Sequence, residues 1–224
     1  MPDLIAIDGP AGSGKSTTAR LCAGVLGFDY LDTGAMYRMA ALLCARNGCG
    51  SDGGALAALI ESHSISLHNG EAFLDGENVS ACIRTPAISE AASLLSALSG
   101  VRRAMVLKQR EFASGRDLVA EGRDMGTVVF PDASLKVYVI ADLAVRAVRR
   151  LRDQGPGSAG EEDFASVVLS LIKRDRRDRE RSDSPLRPAP DAVLLDTSLM
   201  TVAEQVEKVV SLYEAVRGRR RDVV

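Results

Sequence analysis

Residues 9–16, GPAGSGKS, constrain this chain more than any other stretch. They match G-x-x-x-x-G-K-[ST], follow the apolar run LIAID (4–8) and open a segment of helical spacing at 15–26. Glycines there let backbone N–H groups turn inward around phosphate oxygens, and the helix N-terminus adds positive potential. Lysine at the next position bridges β- and γ-phosphates, and the following hydroxyl ligates Mg²⁺. Gly9, Pro10, Ala11, Gly12, Ser13, Gly14, Lys15, Ser16 and Thr17 are therefore the candidate triphosphate-binding residues, with Ser16 the candidate metal ligand. The motif implies that the chain binds a nucleoside triphosphate.

The surrounding pattern supports that context. LIAID (4–8), FDYLD (28–32), DLVAE (117–121), LKVYVI (135–140) and AVLLD (192–196) have strand length and are rich in aliphatic residues. Helical spacing fills 15–26, 36–46, 101–113 and 142–152 between them. Such alternation predicts βαβ units and a five-stranded parallel sheet flanked by helices. Several strands end in Asp or Glu, at the edge where open α/β sheets place ligands. Residues 64–80 break the rhythm: Asn69-Gly70 and Asp75-Gly76 signal two tight turns, so a small antiparallel β insertion is expected at 61–85. QGPGSAGEED (154–163) reads as a mobile loop entering a helix at Glu161 or Glu162, TVAE (201–204) as a capping box, and RGRRRDVV as a frayed tail.

Composition narrows the function classes. With 28 Lys+Arg against 30 Asp+Glu, the net charge of −2 argues against a domain that binds nucleic acid through phosphate contacts. No secretory signal or membrane-length apolar run is present, and the four cysteines form no CxxC pair, so a cytoplasmic protein with reduced, mostly packed thiols is expected. His63 and His68 fall in or beside the β insertion, as surface residues.

Three charged clusters remain. DTGAMYR (32–38) puts Asp32 at a strand end and Arg38 one turn into a helix, where it can grip an anionic acceptor. EGRDMGTVVF (121–130) places Glu121, Arg123 and Asp124 just past a strand, with Arg123 facing both phosphates. In KRDRRDRER (173–181), a helical wheel gathers Arg174, Arg177, Asp178 and Arg181 on one arc. Asp175, Arg176, Arg179 and Glu180 fall on the opposite, balanced side, and Phe164, Val167, Val168, Leu171 and Ile172 form the expected buried stripe upstream. Three guanidinium groups and one carboxylate suit a ligand with phosphates and a ribose hydroxyl; the bland alternative is a salt-laced exposed helix.

Together IDGPAGSGKST, LDTGAMYR, EGRDMGTVVFPDA, IKRDRRDRERSDSPL and LDTS, in this order and spacing over about residues 4–200, resemble the bacterial cytidylate kinase family. The resemblance implies a P-loop kinase fold in a single domain over 1–224, with a monophosphate-binding region at 33–100 and a lid at 151–165. It implies transfer of the γ-phosphoryl of ATP, with Mg²⁺, to CMP or dCMP by a monomer. Thr33, Arg38 and Arg123 would hold the acceptor phosphate. Ser93, Arg102 and Arg181 would read the cytosine edge; Arg174 and Asp178 would hold the ribose, with Asp124 nearby. Lys15, Arg123, Asp124 and Arg174 are the candidate catalytic residues, and Arg149 joins the ATP set.

A phosphate monoester has a second pKa of about 6, so the acceptor is already a nucleophile at pH 7 and needs no general base. What it needs is the repulsion between two polyanions cancelled and the reacting atoms held in line. Arg146, Arg149 and Arg150, ahead of the Gly/Pro-rich loop, are placed to close onto the triphosphate. Competing readings are a kinase for UMP or AMP, or for a hydroxyl acceptor such as shikimate with Asp32 or Asp124 as base. A non-enzymatic nucleotide switch or nucleic-acid module is the rival of a different class.

Overall fold

The computed structural model describes residues 2–50, 52–154 and 163–221. Strands β1 (Leu4–Asp8), β2 (Asp29–Asp32), β6 (Leu118–Gly122), β7 (Leu135–Ile140) and β8 (Val193–Asp196) form a sheet in the order β2-β6-β1-β7-β8. All four pairings are parallel. The five strands expected from the apolar runs are these five.

Strand alternation sorts their side chains between two cores. Ile5 and Ile7 of β1 face α1 (Lys15–Leu26) and α8 (Val202–Arg221), joining Val119, Val137, Val139, Ala19, Cys22, Val209 and Tyr213. Ala6 faces the other way, with Leu31, Leu118 and Ala120, against Met36 and Met39 of α2 (Thr33–Asn47) and Met105 of α5 (Ser99–Ala113). Each fully buried Ile, Leu or Met contributes about 1.5–3 kcal/mol relative to its exposed state. Helices on both faces leave one direction open, the edge where the parallel strands end. Register pairs Asp8 with Gly122, Asp32 with Glu121 and Ile140 with Asp196 along that edge.

The β insertion is present as the antiparallel sheet β3 (Ile65–His68), β4 (Glu71–Leu74) and β5 (Glu77–Asn78). Asn69 (φ 53°) and Gly70 (φ 78°) turn the first hairpin, and Asp75 (φ 50°) and Gly76 (φ 83°) the second. Paired positive φ values are what Asn-Gly and Asp-Gly tolerate best. His68 is exposed on β3 and His63 half-buried near Asp75. Two helices lie outside the segments expected to be helical: α3 (Gly53–Ser62), capped by Asp52, and α4 (Pro86–Leu95), capped by Thr85 with proline in its first turn. The residues from 61 to 62 accordingly belong to α3 rather than to the insertion's strands.

Helices α6 (Leu143–Gln154) and α7 (Phe164–Glu180) pack on the phosphate loop itself, where Ala11, Ala147, Val167 and Leu171 form a third small core. The expected buried stripe of α7 is only partly realised: Val167 and Leu171 are buried, but Phe164 and Ile172 are 46% and 45% exposed. α7 begins at Phe164, with Asp163 capping through Ser166 N–H, and ends before Arg181. The loop expected as the lid tip lies largely outside the described residues. The 201–204 capping box forms: Thr201 N–H donates to Glu204 (2.7 Å) and Glu204 N–H to the Thr201 hydroxyl (3.3 Å). Cys22 and Cys44 are buried, Cys49 half-buried and Cys82 exposed, all as free thiols.

Candidate active site

The phosphate loop leaves β1 at the centre of the sheet and ends at the first residue of α1. Gly9 runs so close to β7 that a Cβ there would sit 2.2 Å from the Val139 carbonyl oxygen. Gly14 caps α1 at φ 90°, in the left-handed region glycine favours. Lys15 is buried; its ammonium donates to the Pro10 carbonyl (3.2 Å) and lies 3.8 Å from the Glu121 carboxylate. Burial, then the neighbouring Arg123 charge, pulls its pKa down to about 8. A bound polyanion would oppose both by favouring the charged ammonium. The Ser16 hydroxyl donates to Glu121 Oε1 at 2.8 Å, which puts a hydroxyl and a carboxylate side by side at the loop's exit. That hard-oxygen pair fits Mg²⁺, which keeps several waters and is bound through one or two protein oxygens plus phosphates. Among the described residues no cluster of three His, Cys, Asp or Glu side chains forms a cage of its own.

β2 and β6 bring the acceptor-side candidates to the same edge. The buried Thr33 hydroxyl donates to the Glu121 carbonyl (2.7 Å). Asp32 caps α2 by accepting from Ala35 N–H (2.7 Å) and pairs with Arg38 at 3.2 Å. Past β6, Arg123 Nε donates to Asp178 of α7 at 2.9 Å. Next to it Arg102 is buried against Asp124, donates to the Ser96 carbonyl (3.0 Å) and lies over the Tyr37 ring. Arg181 donates to the Ser184 carbonyl at 2.6 Å, and a further guanidinium nitrogen, Nη2, is buried without a partner. Arg174 likewise keeps Nε buried and unpartnered, and burial followed by the adjacent Arg123 lowers its pKa to about 10. Guanidinium groups this deep and incompletely paired suit an anionic ligand.

Arg123, Arg174 and Asp178 lie near enough to Lys15 for each to shift its titration, so the phosphate loop and these residues share one cleft. Arg102, Asp124, Arg181 and Tyr37 form its inner end. Ser93 of α4 is there too, but its hydroxyl accepts from Arg177 (2.6 Å), which also pairs with Glu90 at 3.0 Å. Arg177 thus ties α7 to α4 across the cleft mouth, a contact the helical wheel cannot show.

Two expectations are corrected. Asp175 is not on a solvated face: it is buried and holds Arg146 at 2.7 Å, because α6 covers that side of α7. Arg146 is therefore not free to reach a phosphate; it also donates to the Ala11 carbonyl (3.1 Å) and clamps α6 and α7 to the loop. Arg149 donates to the Ser13 carbonyl (3.2 Å) and twice to Thr197, bracing the loop from its outer side. Arg150 is exposed. Thr197, in LDTS, is fully buried and also donates to the Ser13 carbonyl at 2.8 Å; no charge or periodicity singles it out in the sequence. No described helix is long and apolar enough to cross a membrane.

Comparison with known proteins agrees with this geometry. A gluconokinase from Sinorhizobium meliloti superposes with a TM-score of 0.50 at 13% identity, covering 98% of this chain and 96% of that one. An uncharacterized protein from Eubacterium ventriosum gives 0.54 at 11%, covering 95% and 98%. These likenesses show the fold alone. The chain is 47% identical to the cytidylate kinase of Paraburkholderia phytofirmans, over 95% of this chain and 93% of that protein. It is 43% identical to the cytidylate kinase of Chlorobaculum tepidum, over 96% and 94%. The sequence profile described as Cytidylate kinase matches residues 5–215, which takes in both the phosphate loop and the arginine-lined cleft. Loop, cleft and relatives therefore agree, and the chain belongs to the cytidylate kinase family.

Proposed function

We propose that the chain transfers the γ-phosphoryl group of ATP to CMP or dCMP, giving ADP and the nucleoside diphosphate, by charge neutralisation and alignment rather than proton abstraction. One observation carries the second half of that reading: the carboxylates along the sheet edge are already engaged. Asp32 holds Arg38, Asp124 holds Arg102, Asp178 holds Arg123, and Glu121 accepts from Ser16 beside Lys15. None is presented as an unpaired base, whereas the guanidinium groups of Arg174 and Arg181 keep unspent donors.

In this reading the 9–14 loop and Lys15 hold the β- and γ-phosphates, and Arg149 braces that loop. Ser16 and Glu121 would hold Mg²⁺, which when bound would supply further neutralisation of the triphosphate. Thr33, Arg38 and Arg123 hold the acceptor phosphate against the γ-phosphoryl group. The acceptor dianion attacks with its own oxygen, so no proton must leave in the transition state. Arg123 stands between the two halves, within the field of Lys15 and bonded to Asp178, and stabilises charge that develops on the transferring group. Arg174 and Asp178 hold the ribose; Ser93, Arg102 and Arg181 face the base, with Asp124 fixing Arg102. The test is ADP formation from ATP and Mg²⁺ with CMP, dCMP, UMP, AMP, GMP or shikimate as acceptor. Turnover on CMP and dCMP well above all others supports the reading; preference for shikimate or for a purine monophosphate overturns it.

A further inference from the structure

The loop that carries Arg123 and Asp124 ends in a π-helical turn, Met125–Val129, with Asp124 as the residue that precedes it. The first N–H groups of any helical turn lack internal partners, and a preceding Asp ordinarily accepts from them through its own carboxylate. Asp124 does not: its backbone lies at φ −148°, ψ 21°, it makes no side-chain cap, and its carboxylate turns away to Arg102. The missing cap comes from another strand. Asp8, the last residue of β1 and 4% exposed, accepts from Met125 N–H through Oδ1 and from Gly126 N–H through Oδ2, each at 2.8 Å.

We infer that Asp8 is a positioning residue for phosphoryl transfer, capping the 125–129 turn in place of Asp124 so that Asp124 stays turned toward Arg102. The inference rests on the reading in which Arg123, Asp124 and Arg102 meet the acceptor. Asp8 occupies a position suited to this. It pairs in register with Gly122, the residue before Arg123, and is itself the residue before Gly9 of the phosphate loop. One carboxylate thus joins the start of the donor loop to the start of the acceptor loop. Bonds from two consecutive amides, one to each carboxyl oxygen, fix both distance and orientation, which a single hydroxyl or amide acceptor cannot do. If the cap is lost, the nearest substitute for the orphaned N–H groups is the Asp124 carboxylate, and Arg102 loses its partner.

Asp8→Asn keeps the shape but offers one acceptor and sets an N–H donor against the second amide. The expected result is a CMP KM raised at least tenfold and a kcat/KM for CMP lowered about a hundredfold, the scale of an ångström's misplacement. The Kd of a non-hydrolysable ATP analogue should stay within about twofold of wild type. In an Arg102→Met background the further effect of Asp8→Asn on CMP should largely vanish, since Asp124 then has no partner to lose. A merely structural weakening would instead add to it. Asp8→Ser, smaller and neutral, provides the same readouts should Asp8→Asn not fold. A CMP KM unchanged in a folded variant, an equal loss of ATP-analogue binding, additivity with Arg102→Met, or unfolding of both variants overturns the inference. Arg123→Ala separates it from the parent reading. If Arg123→Ala impairs CMP use and Asp8→Asn does not, only the role of Asp8 fails; if Arg123→Ala also leaves CMP use intact, the acceptor assignment fails.

Discussion

Replacing Asp175 with Asn should destabilise this protein far more than a helix-surface change would. Arg146 and Asp175 have side chains only 7% and 6% exposed and meet at 2.7 Å. Without the carboxylate charge, Arg146 keeps the Ala11 carbonyl at 3.1 Å, while its Nε has no partner even in the intact protein. Breaking one side of a buried ion pair costs about 3–5 kcal/mol, because the surviving charge is left uncompensated. For a chain of this size that corresponds to a Tm lowered by about 6–20 °C. The double variant Arg146→Met with Asp175→Leu removes both charges and fills the space with apolar atoms, so it should lie within about 1 kcal/mol of wild type. The chain has no tryptophan, so urea unfolding is best followed by far-UV circular dichroism. If Asp175→Asn costs under about 1 kcal/mol, or if the double variant costs as much as the two single changes together, the clamp reasoning is wrong.

Arg181→Ala removes a guanidinium with a buried, unpartnered Nη2 at the inner end of the cleft; it should raise the CMP KM about 10- to 100-fold, the worth of one charged hydrogen bond, and leave ATP-analogue binding unchanged by titration calorimetry. Gly9→Ala places a Cβ 2.2 Å from the Val139 carbonyl oxygen, so either β7 or the loop must move, and ATP-analogue binding should be lost in the same assay. The pH dependence of stability should carry the signature of Asp8. Burial pushes its carboxyl up to about 7 although the Met125 and Gly126 amides pull the other way, with the Asp124 charge raising it and Arg123 lowering it. Between the usual carboxylate value and about 7 the folded chain therefore keeps a proton that the unfolded chain has released. Stability falls as pH rises through that window, by up to about 4 kcal/mol for this group. Asp8→Asn should flatten the difference between urea midpoints at pH 5 and pH 8; an unchanged difference would refute the assignment.

The sheet was legible because its strands are short aliphatic runs with acidic ends, and a parallel sheet covered on both faces needs little else. Asn69-Gly70 and Asp75-Gly76 announced the insertion for an equally local reason, their tolerance of positive φ. α3 and α4 carried readable starts, Asp52 before two glycines and Thr85 before Pro86, but each helix is only 10 residues long. What stayed hidden was tertiary. A helical wheel leaves Asp175 just outside the arc that holds Asp178, yet both are buried, because α6 covers one side and the 122–124 loop the other. Arg146 reads as a mobile phosphate ligand until Asp175 is seen beside it. Asp8 reads as one more acidic strand end; only the register of β1 with β6 brings the 125–129 turn within its reach.

The most direct measurement is the affinity of adenosine and cytidine joined 5′ to 5′ by a pentaphosphate chain. A cleft that gathers two polyanions should bind the joined molecule at least 100-fold more tightly than CMP alone, with the gain abolished by Arg123→Ala. Affinity no greater than that of ATP, or a gain untouched by loss of Arg123, would contradict a catalytic centre built to hold both phosphate chains at once.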